Sequence, residues 1–507
     1  MYLDNKLIVN NLLENEEIKK EIEKNLIRNK KLDISNNMLK VNKLDPYLDA
    51  IQKYLEAKVK NKEFLDFNTN FLEVSKHNIN LESNENRQKN NMLNKNWHIR
   101  NLSELSYLKN ELFDNKYGII NNIYKDINSS DYCIVGAEFS ILESKENIVG
   151  YGRATTFQEA ENIAILEAIE RFCMFNIENC THRGILKEVI ENPYIRNELK
   201  EYEDENIYYI EAHNYKTNDS SNIPLQFVDL VVKDNKRMVL ETSNGTAIGT
   251  SYHEAMLYAL LEFIERDAFL TFWHKKVKLD MIDVASLNVE QKNIIENFEN
   301  DGKKVYLFDM AIDIDIPTIL CLIISNKEKP ATYVSSGTHI DPELAVDAAL
   351  KEAIVAHNIY RTNNAVGKLY NNKFEVEGLS DHFNYYSHPS KITTYDWLIE
   401  TSKKKNLYEV YPKIEKNFSD VEAVEFVIKK MENIKEIYSV LLENRFIQNK
   451  GLYVVKVVIP EMQTMYFGYK NKRININRLD AAINNSKHRY KVEFNRGEYY
   501  DEPHPFP

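Results

Sequence analysis

Residues 243–273 read SNGTAIGTSYHEAMLYALLEFIERDAFLTFW, and the reading of this stretch decides the fold. Its centre, Glu254-Ala255, six residues, then Glu262-Phe263-Ile264-Glu265-Arg266, repeats an earlier frame. That frame is Glu159-Ala160, six residues, then Glu167-Ala168-Ile169-Glu170-Arg171. Both copies follow E-A-x6-E-x-I-E-R at a constant offset of 95 residues, and Leu166 and Leu261 match as well. One such string is an ordinary solvated helix face; two in the same 13-residue frame are not coincidence.

On a helix, at ~100° per residue, the three glutamates of each copy fall within about 80° of one another. The rest of each helix is apolar, with Ile163, Ala164, Ile165, Leu166 and Ile169 in the first and Met256, Leu257, Leu260, Leu261, Phe263 and Ile264 in the second. So apolar a helix is expected to be mostly buried, and a buried carboxylate needs a counter-charge. Arg171 and Arg266 answer only part of six glutamates. Divalent cations answer the rest, and Mg2+ held by carboxylates is normally completed by phosphate oxygens. Two acidic helices facing each other therefore predict a metal-bridged nucleotide site. The competing structural readings are a capping box at Thr156/Glu159 and at Ser251/Glu254, and an Arg–Glu network for Glu167, Glu170, Glu262 and Glu265.

Working outward, Asp341-Pro342 is an N-cap with proline in the first turn, opening a third helix that carries Glu352. The glycines of NGTAIGTS (244–251) stand where helix N–H groups could meet a phosphate, and a helix-entry turn explains them as well. No GxxxxGK[ST] loop occurs, so any ATP is held without a P-loop. Strands are predicted at 132–141, 223–232, 304–312, 316–324 and 451–460, alternating with the long helices, which gives an α+β class. Residues 366–424, polar and aromatic, are expected to be an insertion or periphery. Residues 1–110, rich in Asn, Lys and Glu, are expected to form a mainly helical extension with charged helices at 15–26 and 46–62 and a polar stretch at 83–96. The predicted division is this extension and a catalytic domain over 111–507.

The net charge of −12 offers no field to nucleic acid or an anionic membrane. The first residues lack a signal-peptide layout, and no apolar run approaches the ~18 residues that span a bilayer. Cys133, Cys173, Cys180 and Cys321 form no CxxC pair, which argues against structural zinc and a disulfide framework. A soluble cytoplasmic protein is the expectation. At the other end, Pro503, Pro505 and Pro507 place three of twelve prolines in the last five residues, around His504 and Phe506. Such stiffness predicts a tail docked in a groove.

Together with GYGRATTFQEAENIAILEAIER (150–171), VYLFDMAIDIDIPTILCLI, VVKVVIPEM and the terminal PHPFP, the opening stretch resembles the YcaO superfamily, specifically its azoline-forming cyclodehydratases of thiazole/oxazole-modified peptide pathways. The resemblance runs from about residue 117 to the end. It implies a fold of that type, with mixed sheets and long apolar helices, that binds ATP with Mg2+. Glu167, Glu170, Arg171, Glu254, Glu262, Glu265, Arg266 and Glu352 match nucleotide positions, and Glu167, Glu170, Glu262 and Glu265 match metal positions. The PxPxP residues Pro503, Pro505 and Pro507 match the mark of azoline formers. The chain departs from the family at Ala348, where an Arg is usual four residues before the third acidic residue, and at Ile163, near an expected serine. Loss of that Arg removes a phosphate contact and full activity with it, or Lys351 or His357 substitutes.

The implied reaction converts Cys, Ser or Thr of a ribosomal precursor peptide to thiazoline or oxazoline, with the amide oxygen phosphorylated by ATP. The implied partners are the precursor, a ThiF-like leader-binding protein and a flavin dehydrogenase, in a homodimer or hetero-complex. The alternatives are a YcaO enzyme forming thioamide or amidine, a non-catalytic docking scaffold, and an unrelated metal-dependent hydrolase, which would usually contain histidines.

Overall fold

The computed structural model describes residues 91–506 except 117, 128–131, 142–145, 178, 180, 232, 327, 362–365, 401 and 487–491, together with the backbone of four strands between residues 2 and 78. The predicted helices at 15–26 and 46–62, Cys180 and Pro507 lie outside the described residues. The chain divides into two compact units, one of Met1–Arg87, Arg100–Ile177 and Glu443–Leu452, the other of Gln88–Ile99, Glu178–Leu442 and Tyr453–Pro507.

The first unit holds two antiparallel sheets. One runs β1 (Tyr2–Leu3), β2 (Lys6–Val9), β3 (Glu63–Asn68), β4 (Glu73–Asn78), so the described part of the N-terminal extension contains this sheet, followed by a 3-10 turn at Leu102–Leu105 and a short helix at Tyr107–Leu112. The other runs β5 (Asn122–Asp126), β6 (Cys133–Ser140), β7 (Asn147–Ala154), and α1 (Phe157–Phe175) packs on it. Glycine makes that packing possible. A Cβ on Gly152 would lie 1.7 Å from Ala160 O, and one on Gly150 would lie 2.3 Å from Ala168 N. Ala160, Ala164 and Ala168 give the helix a face flat enough to meet bare backbone.

The second unit has a six-stranded sheet ordered β10 (Asp219–Pro224), β9 (Asn206–Asn214), β17 (Tyr438–Leu441), β18 (Tyr453–Val458), β11 (Thr246–Gly249), with β8 (His182–Ile185) also on β9. Its five-stranded sheet runs β15 (Thr332–Thr338), β14 (Thr318–Ser325), β13 (Lys303–Asp309), β12 (Asp280–Ile282), β16 (Lys404–Lys405). The longer helices are α2 (Tyr252–Lys275), α3 (Val289–Asn300), α4 (Pro342–Arg361), α5 (Leu379–Ser387), α6 (Asp420–Lys430) and α7 (Ile476–Asn485).

The spine of this unit is α2. Its first half, from Ala255 to Ile264, shares a core with Ala247, Val455 and Val457 of the six-stranded sheet and with α6. Its second half, from Ala268 to Trp273, shares another with Leu320 and Leu322 of β14 and with Phe506. Both flanks being covered explains a helix buried almost throughout. α1, covered on one side, leaves Ile163, Leu166, Glu167 and Glu170 half-exposed.

Two sequence expectations fail here. The run 223–232 is not a strand: β10 ends at Pro224 and a 3-10 turn follows, because Gln226 turns inward to bind Lys236 O and Asp234, each at 2.8 Å. Residues 366–424 are not peripheral either, since Val366, Tyr370, Val376, Tyr385, Tyr386, Tyr395 and Leu398 are buried, most of them in the core around α2. The aromatic density there is core material. The other four predicted strands exist, as does the third helix, where Asp341 Oδ1 accepts Glu343 N–H at 2.9 Å. Among the described residues no helix is long and apolar enough to cross a membrane.

Candidate functional site

In the first unit, Thr156 caps α1 by accepting Glu159 N–H at 3.2 Å. Glu159 returns only to the hydroxyls of Thr155 and Thr156, so half of the capping box forms. One face of α1 presents Glu167. Its Oε2 accepts the β7 main-chain N–H of Tyr151 at 2.9 Å, and its Oε1 takes Arg171 through Nη2 at 2.7 Å and Nε at 3.1 Å. Glu170 is half-exposed on the following turn.

In the second unit, Ser251 caps α2 by accepting Glu254 N–H at 3.0 Å. The Glu254 carboxylate closes on Thr250 instead, through its N–H and its hydroxyl, each at 2.7 Å, and also takes His98 at 2.9 Å. Burial opposes ionisation of Glu254, but His98 and Thr250 outweigh it and hold the pKa below the ordinary value. No sequence signal pointed to His98. Glu262 mirrors Glu167: its Oε2 accepts a backbone N–H, that of Gly245, at 2.9 Å. Gly245 has φ +73°, a left-handed turn suited to glycine, so the helix-entry turn accounts for this residue.

Around Glu265 the negative charge is under-compensated. Its Oε1 accepts Ser336 Oγ–H of β15 at 2.9 Å, while Arg266 lies 4.0 Å from it and 3.6 Å from Glu262. Burial, together with repulsion from Glu352 and Glu262, outweighs Arg266 and Ser336 and pushes the Glu265 pKa up to about 7. Glu265 thus lies within the repulsion of two other carboxylates, with the Arg266 guanidinium 4.0 Å away. Among the described residues no three Asp, Glu, His or Cys side chains form a metal-holding group of their own. Such a set suits Mg2+ completed by phosphate oxygens and does not suit a metal caged by protein alone.

The two cations named as substitutes for the missing arginine sit in different surroundings. Ala348 and Lys351 are exposed on α4, and Lys351 acts on Asp347. His357 is fully buried, and desolvation lowers its pKa to about 4, which keeps it neutral.

Residues 503–506 are buried, as docking of the tail requires. Tyr386 OH donates to Pro503 O at 2.7 Å, His382 Nδ1–H to His504 O at 2.8 Å, and His504 Nε2–H to Tyr466 O at 2.8 Å. The His382 and His504 rings stack with centroids 4.0 Å apart. Phe506 then covers the Arg266 guanidinium at 3.8 Å and meets Phe269 edge-on at 4.7 Å. The tail thereby reaches the arginine of the second repeat, a contact that sequence reasoning missed. Burial depresses the pKa values of His274 and His382 to about 4 and that of His504 well below its ordinary value, so all three are neutral in the fold.

An α+β fold with repeated carboxylate helices and an arginine capped by a proline-rich tail defines the class of an ATP-using, metal-assisted enzyme. The sequence family described as YcaO cyclodehydratase, ATP- and Mg2+-binding, matches residues 151–463, and the chain belongs to it. The chain is similar in fold to a heterocyclase in complex with substrate and cofactor (TM-score 0.69, 15 % identity, covering 99 % of this chain and 77 % of that one). It is also similar to YcaO from Methanopyrus kandleri bound with AMPPCP and Mg2+ (0.56, 15 %, 72 % and 92 %). A third likeness is to a chain of the E. coli microcin synthetase McbBCD complex with pro-MccB17 bound (0.55, 14 %, 76 % and 96 %). Among curated proteins it is 30 % identical over 113 residues to an uncharacterized protein of Methanothermobacter thermautotrophicus, covering 22 % of this chain and 30 % of that one. It is 32 % identical over 124 residues to the uncharacterized protein in the tfuA 3′ region of Rhizobium leguminosarum bv. trifolii, with the same two coverages. The chain therefore spans about three tenths of the length of these curated relatives.

Proposed function

We propose that the protein is an ATP- and Mg2+-dependent cyclodehydratase subunit that converts Cys, Ser or Thr of a ribosomal precursor peptide to thiazoline or oxazoline. The observation that carries this is Glu265, a buried carboxylate bound by Ser336 whose pKa is pushed up to about 7 by burial and by repulsion from Glu352 and Glu262, with Arg266 4.0 Å away. Glu167, Glu170, Glu262 and Glu265 are assigned to the metal, and these together with Arg171, Arg266 and Glu352 to the nucleotide. Glu254, committed to His98 and Thr250, acts by fixing the turn that precedes α2. When bound, Mg2+ offsets phosphate charge as the phosphoryl group moves. In the reaction the peptide side chain adds to the preceding amide carbonyl, ATP phosphorylates the resulting oxyanion, and the oxygen leaves as phosphate. The chain's own residues orient the phosphates, and the tail that carries Pro503, Pro505 and Pro507 positions Arg266 through Phe506. A separate ThiF-like partner reads the leader, a flavin dehydrogenase oxidises the ring, and the work is cytoplasmic.

Incubation with ATP, Mg2+, the partner and the precursor should give one water lost per ring by mass spectrometry. Truncation of residues 503–507 should stop cyclisation without unfolding the protein, and rings formed by the truncated chain would remove the tail from the reaction. Ala348 favours a second reading, a docking scaffold; ATP turnover dependent on Glu262 would eliminate it.

A further inference from the structure

Beside α2 the second unit carries a cleft of about 570 Å3, within the size range of ligand sites. Its floor is apolar, with Phe227, Phe263 and Met462 buried there. Its buried charges answer one another: Glu241 binds Lys456 at 3.2 Å and Arg473 at 2.8 Å, and Arg473 also binds Glu198 at 2.6 Å. Among the described lining residues no buried cation is left over for a phosphate.

One wall is the run 238–241, which belongs to no strand. Its first residue is tied down, Met238 N–H donating to Gln226 Oε1 at 2.9 Å. The main-chain N–H and C=O groups of Val239, Leu240 and Glu241 have no hydrogen-bond partner among the described residues, although Val239 is buried. Unpaired main-chain groups along a cleft form an edge on which an extended peptide adds a strand. At ~3.3 Å per residue this edge is ~10 Å long. Gly245 links the cleft to the carboxylates. A Cβ there would lie 2.7 Å from the Phe263 ring, and its N–H holds Glu262 at 2.9 Å. A chain lying on Phe263 is one residue along α2 from Glu262.

We propose that this cleft binds the substrate peptide as an added strand along residues 239–241, with the peptide's apolar side chains on Phe227, Phe263 and Met462. The assignment rests on the peptide-modifying function above. The probe is a short fluorescein-labelled peptide of Val, Ser, Cys and Gly, titrated by anisotropy into the full chain without nucleotide. Leu240→Pro deletes one N–H donor, whereas Leu240→Ala shortens the side chain and keeps the donor. Asn477→Trp, from the exposed start of α7, fills the cleft without altering the run.

Leu240→Pro and Asn477→Trp should each weaken peptide binding by ~10-fold or more, with Leu240→Ala within ~3-fold of the unmodified protein. A fluorescent ATP analogue should bind all of them alike, which also reports folding; if Leu240→Pro fails that control, Asn477→Trp decides. Absence of peptide binding to the unmodified protein, or undiminished binding by the folded variants, overturns the cleft. So does weakened ATP-analogue binding with peptide binding intact, which would give the cleft to the nucleotide. The failures separate: peptide bound without water loss ends the proposed reaction and spares the cleft. Rings formed by Leu240→Pro and Asn477→Trp at an unchanged peptide KM end the cleft and spare the reaction.

Discussion

In α1, Arg171 closes on Glu167 at 2.7 Å, the pairing expected of an arginine four residues after a glutamate. In α2, Arg266 stands off Glu262 at 3.6 Å, its guanidinium covered by Phe506 at 3.8 Å. The frame is the same and so is the backbone anchor, since Tyr151 N–H holds Glu167 and Gly245 N–H holds Glu262, both at 2.9 Å. What differs is the third party. An aromatic ring competes for the cation and withholds part of its charge from the carboxylates. In the first repeat Glu167 is thereby closed on Arg171, whereas in the second Glu265 keeps a raised pKa with Arg266 4.0 Å away.

The largest effect should separate anchored from capping glutamates. Glu262→Gln should lower ATP hydrolysis by ~10²–10³-fold in a steady-state assay, with the melting temperature little changed. Normal turnover would remove Glu262 from the site.

Next comes the missing counter-charge. Since the Glu265 pKa is raised from 4.5 to about 7, the folded state keeps a proton there that the unfolded chain releases. Stability from this group is therefore present at low pH and lost as pH rises from 4.5 towards 7. Glu265→Gln should stabilise the nucleotide-free protein at pH ~8 by up to ~3 kcal/mol, with the gain vanishing near pH ~4 in thermal melts. A gain independent of pH would show that the carboxylate is already compensated.

Phe506→Ala should let Arg266 close on Glu262 as Arg171 closes on Glu167, lowering kcat by ~10-fold at unchanged far-UV circular dichroism. The smallest effect belongs to the cap. Glu159→Gln should cost at most ~1 kcal/mol in denaturant titration and leave turnover untouched, and a catalytic defect there would break the distinction drawn between the glutamates.

The repeat, the caps at Thr156 and Ser251 and the start of α4 at Asp341-Pro342 were legible because helix period and capping are local. So was the packing of the tail, because three prolines restrict a short segment wherever it lies. What Phe506 touches was not legible, since Arg266 is 240 residues away and no local pattern carries the pairing. His98 on Glu254 escaped for the same reason, at a separation of 156 residues. The error at 223–232 came from counting apolar residues while ignoring that Gln226 could satisfy a loop from inside. The error at 366–424 came from treating tyrosine as surface, when Tyr386 and Tyr395 are buried to the ring.

Tyr151 sits between Gly150 and Gly152, two positions where the β7 and α1 backbones meet with no room for a single carbon. The amide that holds Glu167 is thus mounted on a joint with no adjustable parts. Loops elsewhere can drift and side chains can repack, but the amide that anchors this carboxylate moves only with the strand and helix that carry the joint.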